Sequence, residues 1–383
     1  MMTTDNTLGL YLHVPFCAAK CRYCDFYSAP AGAELRRAYV TALCRHMAAT
    51  AKRAEDYTVD TVYIGGGTPT LLGAEPLAEM LATVRACYQL TPDAEITVEC
   101  NPVMHTEGLF EGLLAAGVNR LSIGLQSACD EELSLLGRAH TVADFRHTLH
   151  AARAAGFENI NVDIMLGIPD QTVQSLADTL DFVIGAEPSH ISAYCLRVEE
   201  GTPFYHARHA LSLPTDDIVA DMQEQTAAAL KAAGYTHYEV SNYAKRGRES
   251  RHNLRYWECA DYLGFGPAAH SYFEGVRYAA PRSTADYIEA VMHGAFAQLV
   301  TDAVQITPHE AREEYVMLGM RLFEGVDEQD FYARFGISFN DAYGPIDRYA
   351  AAGLLTRRNG RIAFTERGML VSNAILSEWL DFS

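Results

Sequence analysis

The chain has 383 residues, and its 49 acidic against 30 basic side chains give a formal net charge of −19 at pH 7. A surface this acidic argues against nucleic-acid binding, which needs a basic face. The nine cysteines are odd in number and most are scattered, which favours a reducing cytoplasm over a disulfide-stapled fold. We find neither a signal-peptide pattern nor an apolar run near the roughly 20 residues of a membrane helix. We therefore expect a cytoplasmic protein without an integral membrane segment.

The first half of the chain alternates short, nearly continuous apolar segments with helix-like stretches. Such apolar runs are typical of strands that are buried on both faces of a parallel sheet. The strands are predicted at 8–14, 61–66, 95–100, 120–126, 159–167 and 190–196. The helices are predicted at 34–54, 74–90, 142–155 and 172–185. About six repeats of this order predict an α/β fold, a partial (β/α)6 TIM-like barrel, since two further units for a full barrel are not found.

The pattern changes after about residue 200. A helix is predicted at 216–234 and a single strand at 235–244, and the tail from about 308 is mostly helical. Asn359-Gly360 near the end is a strong signal for a tight hairpin. Helices followed by a hairpin predict a mostly helical, winged-helix-like domain, whose few basic residues favour a lid or docking role over DNA binding. We thus expect three regions: a barrel at 1–215, a barrel extension at 216–305 and a C-terminal module at 306–383.

Three cysteines lie close together in "FCAAKCRYCDF", directly after the first predicted strand. Cys17, Cys21 and Cys24 have the spacing C-x3-C-x2-C. Three thiolates can hold a 4Fe-4S cluster and leave one iron open for a ligand. Alternatives are a zinc ion with His13 or Asp25 as fourth ligand, or three structural cysteines. The loop lies at the carboxyl edge of the predicted barrel, where such folds carry their chemistry.

The segment "YLHVPFCAAKCRYCDF" resembles the radical SAM family, in which the open iron binds the amino and carboxylate groups of S-adenosylmethionine (SAM). "GGGTP" at 65–69 matches the glycine-rich loop of that family. The resemblance implies a 4Fe-4S cluster on the three cysteines and pairing of the SAM carboxylate with Arg138. It also implies that Asp163 accepts from the ribose hydroxyls. The residues implied in SAM binding are Tyr11, Tyr23, Gly66, Gly67, Thr68, Glu99, Gln126, Arg138 and Asp163.

Within this family the chain is most similar to the subgroup of oxygen-independent coproporphyrinogen III dehydrogenases and their heme-chaperone relatives. The dehydrogenases carry a further cysteine two residues after the third, where this chain has Phe26. The chaperones have the phenylalanine and an H-N-x-x-Y-W motif. This chain carries that motif as His252, Asn253, Tyr256 and Trp257. The resemblance therefore implies a heme chaperone that binds heme and a SAM-coordinated cluster and transfers heme to an acceptor protein.

The motif has chemistry suited to heme. Imidazole is a common axial ligand of heme iron, and tyrosine and tryptophan offer flat faces to a porphyrin. Arg251 or Arg255 could pair with a propionate. Whether His252 is the iron ligand stays open, and Cys259 is a second conceivable ligand.

Two other functions stay in play. The chain could be the dehydrogenase itself, which decarboxylates two propionates of coproporphyrinogen III by radical chemistry. Cleavage of SAM would then require an electron donor of flavodoxin or ferredoxin type. The third possibility is a zinc or iron–sulfur protein without SAM. The sequence identifies neither the heme acceptor nor whether SAM is cleaved.

Overall fold

Six parallel strands joined by helices form the centre of one large sheet. The structure is a computed structural model that describes residues 6–102 and 107–381. The strands are β1 (Thr7–Val14), β2 (Thr58–Gly66), β3 (Gln89–Cys100), β4 (Arg120–Gln126), β5 (Ile160–Leu166) and β6 (His190–Cys195). The helices between them are α1 (Ala33–Thr50), α2 (Ala74–Cys87), α3 (Leu109–Ala115), α4 (Asp130–Leu136), α5 (Val142–Ala155) and α6 (Val173–Gly185). The predicted partial (β/α)6 barrel is confirmed.

Further strands extend this sheet at both edges, giving the order β12-β11-β10-β9-β1-β2-β3-β4-β5-β6-β8-β7. Strand β9 is parallel to β1, whereas β10 to β12 and the pair β8 and β7 run antiparallel to their neighbours. The added strands are β7 (Thr236–Glu239), β8 (Asn242–Ala244), β9 (Tyr262–Phe265), β10 (His270–Phe273), β11 (Val276–Ala279) and β12 (Thr301–Gln305). The helices of this part are α7 (Pro203–Ala207), α8 (Asp216–Ala232), α9 (Arg251–Trp257) and α10 (Thr284–Met292).

The prediction of a single strand at 235–244 is wrong. The segment folds back at Val240-Ser241, and its two halves pair as β7 and β8. The Glu239 carboxylate accepts the backbone N–H of Ser241 at 3.3 Å and so stabilises the turn. This is a side chain bonding to its own local backbone, which a pattern of apolar residues does not reveal.

The C-terminal module has its own core beneath a three-stranded sheet of order β13-β15-β14. Asn359 and Gly360 both have positive φ, 53° and 76°, as the predicted tight hairpin turn requires. The strands are β13 (Val326–Asp327), β14 (Leu355–Arg358) and β15 (Arg361–Phe364). The helices are α11 (Pro308–Gly319), α12 (Glu328–Phe335), α13 (Phe339–Tyr343), α14 (Asp347–Ala351), α15 (Glu366–Leu370) and α16 (Ser372–Trp379). Within the described residues, three 3-10 turns lie at Ala51–Ala54, Pro69–Leu72 and Phe296–Leu299.

The module is joined to the barrel through the edge strand β7. The backbone N–H of Val240 donates to the carbonyl of Arg321 at 3.1 Å, and that of Phe323 donates to the carbonyl of Tyr238 at 3.0 Å. Residues 321–323 thus continue the sheet beyond its last strand. Across the described residues, no helix is both long and apolar enough to cross a membrane.

Helix α9, which carries the H-N-x-x-Y-W segment, is fixed to the sheet by one buried arginine. The Arg255 side chain is 5% exposed and forms an ion pair with Asp60 of β2. Its guanidinium also donates to the carbonyl oxygens of Thr7 and Asp261, at 3.3 and 3.1 Å. A planar group with five donors in a fixed geometry can satisfy all three acceptors at once.

We predict that Arg255→Met lowers the free energy of unfolding by about 3–5 kcal/mol, because it leaves the Asp60 carboxylate without its buried partner. Arg37→Met is the matched control. Its ion pair with Glu79 is exposed, so a loss under about 1 kcal/mol is expected. Denaturant unfolding of both variants measures the difference. Equal small losses would show that Arg255 does not hold α9 in place.

Candidate cofactor and ligand site

The loops after β1 and β2 lie against each other at the carboxyl end of the barrel. The backbone N–H of Gly67 donates to the carbonyl of Val14 at 2.8 Å, and that of Thr68 donates to the carbonyl of Phe16 at 2.7 Å. A Cβ atom on Gly67 would lie 2.5 Å from the Phe16 carbonyl oxygen. Only glycine therefore permits this approach, which brings the glycine-rich loop directly beside the cysteine loop.

The three cysteines open into a cavity of about 1210 Å³ that runs into the barrel interior. The cavity brings together residues from every strand between β2 and β6, and residues of the C-terminal module close one side. Of the predicted site residues, those that line it are Cys17, Cys21, Cys24, Tyr23, Gly66, Gly67, Glu99, Gln126, Arg138, Asp163, Asn253 and Trp257. The structure thus gathers most of the predicted set around one space.

A hydrogen-bond network reaches two of the cysteine sulfurs. Thr68 Oγ1 donates to Cys17 Sγ at 3.7 Å, and Arg138 Nη1 donates to Cys21 Sγ at 3.6 Å. Asn101 connects these donors, since its Nδ2 donates to Thr68 Oγ1 at 2.8 Å and its Oδ1 accepts from Arg138 Nη2 at 2.9 Å. Donors aimed at thiolate sulfur are the surroundings that an iron–sulfur cluster requires, so the donor set fits such a cluster.

The zinc alternative has less support. His13, one of its candidate fourth ligands, has both ring nitrogens in hydrogen bonds, with Tyr11 at 3.0 Å and with the carbonyl of Tyr27 at 2.8 Å. In residues 6–102 and 107–381, no three His, Cys, Asp or Glu side chains converge on a single metal ion. Burial raises the pKa of the Cys24 thiol to about 11.

Glu99 is held at the inner wall of the cavity. Its carboxylate accepts from the Tyr63 hydroxyl and from the backbone N–H of Gly66, both at 2.9 Å. Burial raises the pKa of Glu99 to about 7, and the nearby Asp163 carboxylate acts in the same direction. A cationic partner would strongly stabilise the ionised form of such a buried carboxyl group, because it offsets the cost of burying the negative charge.

Two further polar residues face the same space. Asp163 accepts from Asn161 Nδ2 at 2.7 Å, and burial raises its pKa as well. Gln126 has a φ of 74°, a strained conformation for a residue other than glycine, and accepts from the Tyr194 hydroxyl at 2.6 Å. Strain held by a specific partner at a strand end is typical of functional sites.

The two predicted tyrosines take different positions. Tyr23 lines the cavity beside the cysteines and packs against a small apolar cluster that includes Leu136. Tyr11 lies deeper in the barrel, where its ring centroid is 6.2 Å from that of Tyr63 and 6.4 Å from that of His252. Tyr11 therefore contacts the H-N-x-x-Y-W segment, whereas Tyr23 belongs to the cysteine loop.

The H-N-x-x-Y-W segment lies at the other end of the barrel interior. His252 is buried, and both its ring nitrogens have partners: Thr61 Oγ1 at 2.9 Å and the Tyr256 hydroxyl at 2.8 Å. Its ring stacks on Tyr63, and burial lowers the pKa of the imidazole to about 3. His252 is thus neutral and fully hydrogen-bonded, while Trp257 lines the cavity.

Trp257 also borders a second cavity of about 1420 Å³, which lies between α9 and the C-terminal module. The arginines around that space have carboxylate partners. Arg251 pairs with Asp60 and Asp93, and Arg334 pairs with Asp330. The indole of Trp257 therefore separates two spaces, each large enough for an organic ligand.

Several residues at the site were not found from the sequence. Asn101 comes two residues after Glu99, but only the folded chain shows that it joins Arg138 to Thr68. Arg120 points into the barrel interior, is 2% exposed and has a buried Nε without a partner. The other residues that sequence reasoning missed are Tyr63, Ser122, Asn161, Tyr194, Arg321 and Phe323.

Comparison with known proteins agrees with this architecture. The sequence profile of the radical SAM superfamily matches residues 11–183, and that of the HemN C-terminal domain matches residues 306–371. Coproporphyrinogen III oxidase HemN from Escherichia coli, a radical SAM enzyme, superposes with a TM-score of 0.85, covering 99% of this chain and 91% of its own at 23% identity. The fold and the cysteine loop together define a protein of the radical SAM class.

Full-length relatives identify the branch. The chain is 36% identical to the heme chaperone HemW of Mycobacterium tuberculosis over 96% of this chain and 93% of that protein. It is 34% identical to HemW of Bacillus subtilis and 36% identical to HemW of Escherichia coli, each over 97% of this chain and 98% of the relative. The chain belongs to the HemW family of radical SAM proteins, and the predicted resemblance is confirmed.

We predict that Gly67→Ala prevents assembly of an iron–sulfur cluster, because the added Cβ would push the cysteine loop away from the glycine-rich loop. Gly32→Ala is the control, since a Cβ there meets no atom within 4 Å. Iron and sulfide content and visible absorbance after anaerobic reconstitution give the result, with Cys21→Ser as the cluster-free reference. A Gly67→Ala protein that holds as much iron as Gly32→Ala would contradict the prediction.

Proposed function

We propose that this protein is a heme chaperone, which binds heme and a SAM-coordinated 4Fe-4S cluster and transfers the heme to an acceptor protein. One observation carries the proposal: Trp257 of the H-N-x-x-Y-W segment lines the same cavity as the three cysteines. A flat apolar indole face suits a porphyrin, and the cysteine loop suits a cluster. Membership of the HemW family supports the same function.

The cluster would be held by Cys17, Cys21 and Cys24, and its fourth iron would supply an open coordination position for SAM. We assign Arg138 to the SAM carboxylate, and Glu99 as the acceptor for its amino group. Backbone groups of Gly66 and Gly67 can approach the ligand because no Cβ intervenes. Asp163, deeper in the cavity, is the proposed acceptor for the ribose hydroxyls.

Heme binding and iron ligation by His252 are separate proposals. In this structure His252 could reach an iron only by giving up its bond to Thr61 or to Tyr256. Its hydrogen bonds and its stacking on Tyr63 fix α9 against the barrel wall. Trp257 can meet a porphyrin without any such change, so we assign it the first contact.

The partners follow from this function. They are heme, an acceptor protein and, if SAM is cleaved, an electron donor of flavodoxin or ferredoxin type. A nucleic-acid partner is not proposed, because the chain is strongly acidic. The described residues carry no membrane-crossing helix, and a cytoplasmic location remains our prediction.

We expect saturable hemin binding in an anaerobic titration of the reconstituted protein followed by absorption spectroscopy. Trp257→Ala should weaken binding by about five- to a hundredfold, because a large aromatic contact is lost. His252→Ala, run in parallel, should change the spectrum only if the imidazole ligates the iron. Absence of hemin binding by the unaltered protein, together with consumption of coproporphyrinogen III under reducing conditions, would replace the chaperone by the dehydrogenase.

We also predict that SAM affinity rises as pH increases through about 7. Glu99, with a pKa of about 7 in the empty site, is largely protonated below that pH and then offers the SAM amino group no anionic acceptor. Ionisation above pH 7 supplies the carboxylate, so the dissociation constant should fall. Glu99→Gln should reduce the pH dependence to the part that deprotonation of the SAM amino group causes, whereas the exposed Glu75→Gln should retain it in full. Calorimetry at several pH values is the measurement, and a Glu99→Gln protein with an unchanged profile would assign the titration to another group.

A further inference from the structure

Two arginines, one from the barrel and one from the C-terminal module, line the first cavity. Arg197 follows β6 of the barrel, and Arg321 follows α11 of the module. Neither forms an ion pair with a carboxylate of the described residues, although the chain carries an excess of acidic side chains. Both side chains line the cavity that Trp257 also lines.

Arg321 is held in place by neutral acceptors alone. Its Nη1 donates to Ser372 Oγ at 2.9 Å and its Nη2 donates to Asn373 Oδ1 at 2.6 Å. Burial lowers the pKa of Arg321, and the charge of Arg197 lowers it further. Glu199 and Glu224 also line this cavity, but among the described residues neither arginine has a carboxylate within ion-pair distance. Two guanidinium groups near each other in this state raise the free energy of the empty site, and an anion between them would lower it.

The other arginines that line the cavity are Arg120, Arg138 and the exposed Arg367 of α15. Arg138 donates to Cys21 and Asn101. Arg120 lowers the pKa of Glu99 and of Asp163, although its Nε has no hydrogen-bond partner. Arg120 and Arg138 thus already interact with groups of the proposed SAM site.

The second cavity offers no comparable pair. Its arginines all have carboxylate partners, and these arginines are Arg248, Arg251, Arg334 and Arg361. Arg251 and Arg255, the candidates that the sequence suggested for a propionate, are likewise paired with Asp60. A porphyrin could lie on either side of Trp257, and the unpaired arginines favour the first cavity.

We propose that Arg321 and Arg197 bind the two propionates of heme, whose porphyrin lies in the first cavity against Trp257. This inference rests on the proposed function and assigns the site and orientation of the heme. Each planar guanidinium can hold a carboxylate through two parallel hydrogen bonds. Phe323 and Leu370 of the module supply apolar surface on the same side of the cavity.

The test compares hemin with hemin dimethyl ester, whose propionates carry no charge. Both are titrated anaerobically into the reconstituted protein and into Arg321→Met, Arg197→Met and Arg358→Met. Arg358 lies exposed on the terminal hairpin and controls for the general loss of a positive charge. We expect Arg321→Met to weaken hemin binding about ten- to a hundredfold and to leave binding of the diester unchanged.

The outcomes separate the possibilities. Arg197 is exposed, so Arg197→Met should not impair folding. This variant should lose less affinity for hemin than Arg321→Met does, and its affinity for the diester should likewise stay unchanged. Equal losses for hemin and the diester in both variants would mean that the arginines only support the site. Unchanged hemin binding in both would place the propionates elsewhere and overturn the inference. An unaltered protein that binds neither ligand would instead overturn the proposed function.

Discussion

The contact between the loops after β1 and β2 sets the geometry of the whole site. Main-chain hydrogen bonds from Gly67 and Thr68 hold the two loops so close that no Cβ fits between them. This closeness lets the Thr68 hydroxyl donate to the Cys17 sulfur. Asn101 links Thr68 to Arg138, which donates to the Cys21 sulfur. The positions of the sulfurs therefore depend on backbone packing between the two loops.

The sequence was informative where structure is local. Strands β1 to β6 were predicted because a strand buried on both faces carries its apolar pattern within a few residues. The turn at Val240-Ser241 escaped because a local bond from the Glu239 side chain sets it, which an apolar pattern does not show. Strand β9, the seventh parallel strand, escaped because it pairs with the distant β1. The cavity residues were predicted from the motif resemblance. Asn101 and Arg321 were missed, since their importance rests on hydrogen-bond partners 37 and 51 residues away in the sequence.

The two predicted binding regions share one wall. Tyr63 of β2 donates its hydroxyl to Glu99 on the SAM side, and its ring stacks on His252 with centroids 5.3 Å apart. Each end of the cavity thus contacts the Tyr63 side chain. A ligand that reorients Glu99 must act on Tyr63, and Tyr63 packs directly on the helix that carries Trp257. The barrel interior therefore supplies a short physical path between the two regions.

The seam between β7 and residues 321–323 makes the module part of the sheet as well as a cover for the cavity. An edge strand exposes a row of unpaired N–H and C=O groups, which invites pairing with another chain. Here the N–H of Val240 donates to the carbonyl of Arg321, and the carbonyl of Tyr238 accepts from the N–H of Phe323, all in the same chain. Any movement that opened the cavity at this seam would also free the edge of a twelve-stranded sheet. Entry of a ligand from this side and protection against self-association are thus governed by the same few backbone hydrogen bonds.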